Sequence, residues 1–153
     1  MAVIEIPNFG ELLADHLGQV PPEALPFMLS QLERTAAARY RGWAEDVPEY
    51  RTGLLECAAR EDEIADRVEA MFPPSDAHRD LVAQLIPGAK ATYYDVFAKY
   101  SPIEQMTIQA NAERQGADAW QGLKDAYPEL SEALDELSSI EVRSADYLDS
   151  ILD

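Results

Sequence analysis

Leu29-Ser30-Gln31-Leu32-Glu33-Arg34-Thr35-Ala36-Ala37-Ala38-Arg39-Tyr40 is echoed 53 residues later by Val82-Ala83-Gln84-Leu85-Ile86-Pro87-Gly88-Ala89-Lys90-Ala91-Thr92-Tyr93. Gln31, Leu32, Ala36, Ala38 and Tyr40 meet Gln84, Leu85, Ala89, Ala91 and Tyr93. After each copy comes a proline, Pro48 or Pro102, and then a helical stretch with one glutamate on an apolar face, Glu61 or Glu113. Read this way, the chain is two related helical hairpins, and a repeat of this length sets the architecture before any single helix does.

The stretches around this pair are helical too. Proline and capping signals punctuate the chain with almost no alternation of the strand type. Asn8-Phe9-Gly10-Glu11 has the spacing of a capping box and opens a short helix through about residue 19. Pro21, Pro22 and Pro26 are confined to the first turn of a long helix, whose stripe is Leu25, Met28, Leu29, Leu32, Ala36, Trp43 and Ala44. A turn at Asp46-Val47-Pro48 leads to a second stripe, Leu54, Ala58, Glu61, Ile64, Ala65, Val68 and Met71, which Phe72-Pro73-Pro74-Ser75 stops. A third helix begins near Ser75, and Pro87-Gly88 in its middle predicts a kink. Ser101-Pro102-Ile103-Glu104 joins an N-cap, a proline at the first helical position and a capping-box glutamate, the clearest helix start in the chain. Pro128 opens a last amphipathic helix with acidic residues over its outer face.

The expected fold is therefore all-α. Four helices of roughly 35 Å, at about 1.5 Å per residue, with short turns make an antiparallel four-helix bundle, ferritin-like or up-down, the economical arrangement. In a single domain of 153 residues, residues 1–20 form an arm and short helix, 22–126 the core of two related hairpins, and 128–153 an extra C-terminal helix.

Composition narrows the function. Twelve basic residues against 29 acidic ones give a net charge of −17, a field that repels phosphate backbones and anionic membranes and draws in cations or a basic protein partner. No apolar run approaches the roughly 18 residues that span a bilayer, and the expected location is the cytoplasm. The single cysteine, Cys57, excludes an internal disulfide and a thiolate metal cluster within one chain.

Glu33, Glu61 and Glu113 fall within the apolar stripes of three different helices. Glu33 stands 14 residues before Val47 and Glu61 14 after it, while Glu113 is 12 after Ser101, so the three reach similar depth in a bundle. Burying carboxylates without partners costs several kcal/mol each. A hard cation compensates, as do protonation or hydrogen bonds from Tyr40, Tyr93, Gln109 or Lys90. For each glutamate taken alone, the alternative is a place at the edge of its stripe with the carboxylate in water.

The run Glu33…Tyr40-Arg41-Gly42-Trp43-Ala44…Ala58-Ala59-Arg60-Glu61-Asp62-Glu63-Ile64-Ala65 resembles the first half of a ferritin-like, rubrerythrin-type four-helix protein. The resemblance covers about residues 25 to 125. It implies a di-iron or di-manganese centre in which each half supplies a glutamate and a Glu-x-x-His. Glu33 and Glu61 match the first-half glutamates, and Glu113 the corresponding fourth-helix glutamate. Ile64 and Gly116 stand where the family has histidine, and Ile86 where it has the third-helix glutamate. What the resemblance implies is a reduced centre of Glu33, Glu61 and Glu113 with Tyr40, Tyr93 and Gln109 as neighbours, binding iron or manganese and capable of metal oxidation.

Two other readings stand beside it. One is a metal-free pseudo-ferritin or helical bundle that acts through its acidic surface as an interaction or assembly module, with a basic protein or further copies of itself as partner. The other is a small-molecule pocket at Pro87-Gly88 lined by Tyr93 and Trp120. His16 and His78 are surface or packing residues on either reading.

Overall fold

A computed structural model describes residues 4–152, and among them there is helix and no strand. The helices are α1 (Phe9–Leu17), α2 (Leu25–Asp46), α3 (Arg51–Met71), α4 (Asp76–Phe97), α5 (Pro102–Gly122) and α6 (Ser131–Leu152). Short 3₁₀ turns at Pro22–Ala24, Pro48–Tyr50 and Pro128–Leu130 lead into α2, α3 and α6.

The local signals place these boundaries. Pro26 sits in the first turn of α2, where a missing N–H costs nothing. Ser75 caps α4, its Oγ accepting the N–H of His78 at 3.1 Å. The capping box of α5 is complete: Ser101 Oγ accepts the Glu104 N–H at 3.3 Å, and Glu104 Oε1 accepts the Ser101 N–H at 3.0 Å. Hydrogen bonds from Ser101 to the Glu104 carboxyl, that of the backbone N–H first and that of the side chain second, hold it below its ordinary range. Helix α4 runs through Pro87 rather than ending at it. Pro87 only withholds the donor that would reach Ala83, and the rest of the ladder carries the helix across.

By packing, the described residues divide into two units, one of Phe9–Lys99 and one of residues 4–8 together with 100–152. In the first, α2 and α3 form an antiparallel hairpin, α4 lies against α2, and α1 against α4. Leu13, Val20, Ala24, Phe27, Met28, Val82 and Ala89 make the core of the α1, α2 and α4 layer. At its other end Trp43 meets Tyr40 and Phe97 edge-on, at 5.3 and 6.0 Å between ring centroids. The Arg39 guanidinium lies over Trp43, Tyr94 and Phe97 at 5.3, 5.3 and 4.9 Å, a cation–π arrangement that ties α2 to α4.

In the second unit, α5 and α6 form the hairpin, with Met106, Ile108, Ala117, Trp120, Leu134, Leu137 and Leu148 buried. Ser138 donates to the Ala117 carbonyl at 2.7 Å, a buried bond that brings the two backbones close. Lys124 and Gln121 both donate to Asp135, at 2.7 and 2.8 Å, and hold its carboxyl below the ordinary range. Residues ahead of α1 join this unit, with Gln115 Nε2 donating to the Pro7 carbonyl at 2.9 Å.

These pairings correct the repeat. The expected second hairpin joined α4 to α5, but α4 and α5 fall in different units and α5 pairs with α6. The register relating the hairpins is an offset of 80, which superimposes residues 21–72 on 101–152 with twelve identities. They are Pro22/Pro102, Glu33/Glu113, Arg34/Arg114, Ala37/Ala117, Gly42/Gly122, Pro48/Pro128, Glu49/Glu129, Leu54/Leu134, Glu56/Glu136, Glu61/Glu141, Ala65/Ala145 and Asp66/Asp146. The same offset carries the 3₁₀ turn Pro48–Tyr50 onto Pro128–Leu130. The five matches at 53 are mostly alanine, leucine and glutamine, residues that recur in any amphipathic helix.

Candidate functional site

Each hairpin sets two glutamates in its apolar stripes, 28 residues apart in both cases: Glu33 and Glu61, then Glu113 and Glu141. Glu61, Glu113 and Glu141 are buried, at 1%, 2% and 2% exposure, and Glu33 is half-buried. Three of the four are therefore not edge-of-stripe residues reaching water.

In the first hairpin, Glu61 sits among Leu54, Cys57, Ala58, Ile64, Ala65 and Val68, all buried. Across from it, α2 presents Glu33 beside the small Ala36 and Ala37. Oxygens of Glu33 and Glu61 come within 4.8 Å of each other. Two carboxylates that close repel, and a cation, a proton or a donor between them relieves the repulsion. Two oxygens bound to one hard cation at about 2.0–2.6 Å lie no more than about 5 Å apart, so the pair fits such an ion. An all-oxygen donor set suits manganese, magnesium or calcium at least as well as iron.

On the outer side of this pair, Arg34 reaches three acidic residues of α3. Nη2 is 2.7 Å from Asp66 Oδ1 and 3.0 Å from Glu69 Oε2, and Nη1 is 3.3 Å from Asp62 Oδ1. The bonds to Glu69 and then to Asp66 raise the pKa of the guanidinium further above its ordinary value. Arg41 also pairs with Asp62.

In the second hairpin, Gln109 Nε2 donates to Glu113 Oε1 at 2.8 Å in a buried bond, the neighbour role expected of Gln109. Glu141, on α6, was not among the residues singled out by the sequence, since the whole helix reads as acidic. Two signals mark it: the offset from Glu61, and its place in the stripe of Leu134, Leu137, Ala145 and Leu148. Its carboxylate lies against Gly116. A Cβ at that position would overlap Glu141 Oε2 and stand 3.1 Å from its Cδ. Gly116 thus leaves room for the Glu141 carboxylate, and the residue equivalent to Ile64 is the buried Ser144.

Tyr40 and Tyr93 are both buried, and their rings belong to the aromatic cluster. Tyr40 packs on Trp43, and Tyr93 on Phe97 at 5.0 Å and Phe9 at 6.0 Å. The place beside Gly88, expected as part of a small-molecule pocket, holds the His16 ring, whose Cε1 stands 3.1 Å from where a Cβ would be. His16 Nε2 also makes a 3.0 Å hydrogen-bonding contact with Thr92 Oγ1. His78 lies in the first turn of α4, and among the described residues neither histidine joins a group of potential metal ligands. Cys57 is fully buried, its sulfur accepting from Arg60 Nη2 at 3.2 Å.

Among the described residues, no helix is long and apolar enough to cross a membrane. No protein-family model, curated protein or solved structure matches this chain.

Proposed function

We propose that this is a ferritin-like four-helix protein whose metal centre is reduced to carboxylates. The carboxylates it offers to manganese or ferrous iron are Glu33 and Glu61 in the first hairpin and Glu113 and Glu141 in the second. The observation that carries this reading is the approach of the Glu33 and Glu61 oxygens to within 4.8 Å where Glu61 is 1% exposed. A carboxylate held dry beside another is costly in an apolar stripe, and a divalent cation offsets that cost. In this reading Gln109 orients Glu113, Gly116 makes room for Glu141, and the apolar neighbours of Glu61 exclude water. A redox-active ion bound there supplies one-electron chemistry toward oxygen, which is the link to iron oxidation.

The test is metal content by mass spectrometry after anaerobic loading with ferrous iron or manganese, on the natural chain and on Glu61→Gln and Glu113→Gln. Stoichiometric metal that is lost in a variant supports the reading. The ratio of ion to chain, and which variant loses it, tells which hairpin holds the ion. No metal under any loading sinks it.

A second reading has its own observation, the net charge of −17 and the exposed Glu132, Asp135, Glu136 and Asp146 of α6. In that reading the chain is a metal-free assembly module for a basic partner or for further copies of itself. Binding that weakens steeply with salt supports it.

A further inference from the structure

The identities shared by the hairpins include an ionic contact as well as the glutamates. Arg34 follows Glu33 on α2 and Arg114 follows Glu113 on α5. Asp66 stands five residues after Glu61, and Asp146 five after Glu141. Position 69 is glutamate and its equivalent, 149, is aspartate. The side chains meet in related ways: Arg34 bonds Asp66 and Glu69, at 2.7 and 3.0 Å, while Arg114 bonds Asp149 and holds the same nitrogen 3.7 Å from Asp146. Asp62, the third partner of Arg34, has no counterpart, since Val142 takes its place. What both hairpins keep is an arginine fork spanning two carboxylates one turn apart on the facing helix.

These groups are partly exposed, and exposed ion pairs contribute little to stability. Register is a different matter. The buried faces of the paired helices carry small side chains, Ala36, Ala37, Ala58 and Ala65 in one hairpin and Ala110, Ala117 and Ala145 in the other. Small residues resist sliding weakly, because one helical turn of slip replaces one shallow contact by another. A slip of about 5.4 Å, one turn, would carry Glu61 away from Glu33 and Glu141 away from Gly116. A planar guanidinium reaching two carboxylates has one best position along the facing helix, which a single ammonium does not define.

We infer that Arg34 and Arg114 are equivalent positioning residues, each fixing the register of its own hairpin so that the glutamate beside it comes level with the glutamate of the facing helix. The fork sets geometry in the absence of metal. Its effect on metal binding rests on the reading proposed above.

The test uses the full chain with Arg34→Met, Arg34→Lys and Arg114→Met. Hydrogen exchange of the metal-free proteins is read on residues 57–66 and 137–146, with melting temperature and manganese affinity alongside. The expected result for Arg34→Met is exchange about ten-fold faster in 57–66 with 137–146 unchanged, and the reverse for Arg114→Met. The melting temperature falls by no more than about 4 °C, and manganese binds about ten-fold more weakly. Arg34→Lys restores the melting temperature but not the slow exchange. Unchanged exchange in both Met variants overturns the inference, as does faster exchange spread over both hairpins with a large fall in melting temperature, the mark of a merely structural role. If the natural chain binds no manganese, the proposed function falls, while the exchange data still decide the register role.

Discussion

The α2/α3 and α5/α6 hairpins share a frame and fill it differently. Where the second has Gln109 donating to Glu113, the first has Leu29, which offers no side-chain donor. Where the second has Gly116 against Glu141, the first has Ala36. Where α5 begins with a complete capping box, α2 begins behind Pro21 and Ala24 with no side-chain cap. The first hairpin is instead backed by α1 and α4, whose apolar core and aromatic cluster secure it from outside. The shared frame sets where the glutamates stand, while the contacts around them differ from one hairpin to the other.

That contrast makes position 116 the most sensitive point. Gly116→Ala sets a methyl where Glu141 Oε2 lies and displaces a buried carboxylate, with an expected loss of about 1–3 kcal/mol in urea unfolding. The converse change, Ala36→Gly, costs only the helix propensity difference, about 1 kcal/mol. Equal losses at the two sites would show that the glycine is not a seat for the glutamate.

Gln109→Leu converts the second hairpin to the pattern of the first. It leaves the buried Glu113 without its amide donor and is expected to cost about 1–2 kcal/mol by the same measurement. No loss would mean that Glu113 is held by other groups and that the two hairpins secure their glutamates alike.

The smallest effect is at the cap. The Glu104 carboxyl is held below its ordinary range in the folded chain, so its contribution is present above the unfolded carboxylate value and is lost as pH falls through the lower folded value. Melting curves of Glu104→Ala and the natural chain should therefore differ near neutral pH and converge once the pH has fallen below the ordinary carboxylate range. A gap that persists at low pH would assign the effect to helix propensity rather than to the capping carboxylate.

Helix boundaries were legible because their causes are local: Ser101 with Glu104, Ser75, and the prolines act within one turn. The glutamates Glu61 and Glu113 were legible as anomalies in apolar stripes, and both are buried. The pairing was not, because the residues matching at 53 are those any amphipathic helix contains, while the matches at 80 are sparse. Glu141 was hidden by its setting. In a chain with 29 acidic residues a carboxylate on an acidic helix draws no notice, and only the leucines at 134, 137 and 148 betray which face it occupies. The role of Gly116 depends on a facing helix assigned to the margin, so no reading of α5 alone reveals it.

The turn at Pro48–Tyr50 also bears on how the molecule is made. It joins helices adjacent in sequence, and contacts between near neighbours in the chain form quickly. Synthesis proceeds from the N-terminus, so α2 and α3 can close on each other while α5 and α6 are still to be translated. In that order of events Glu33 can come to face Glu61 before the later hairpin has been made.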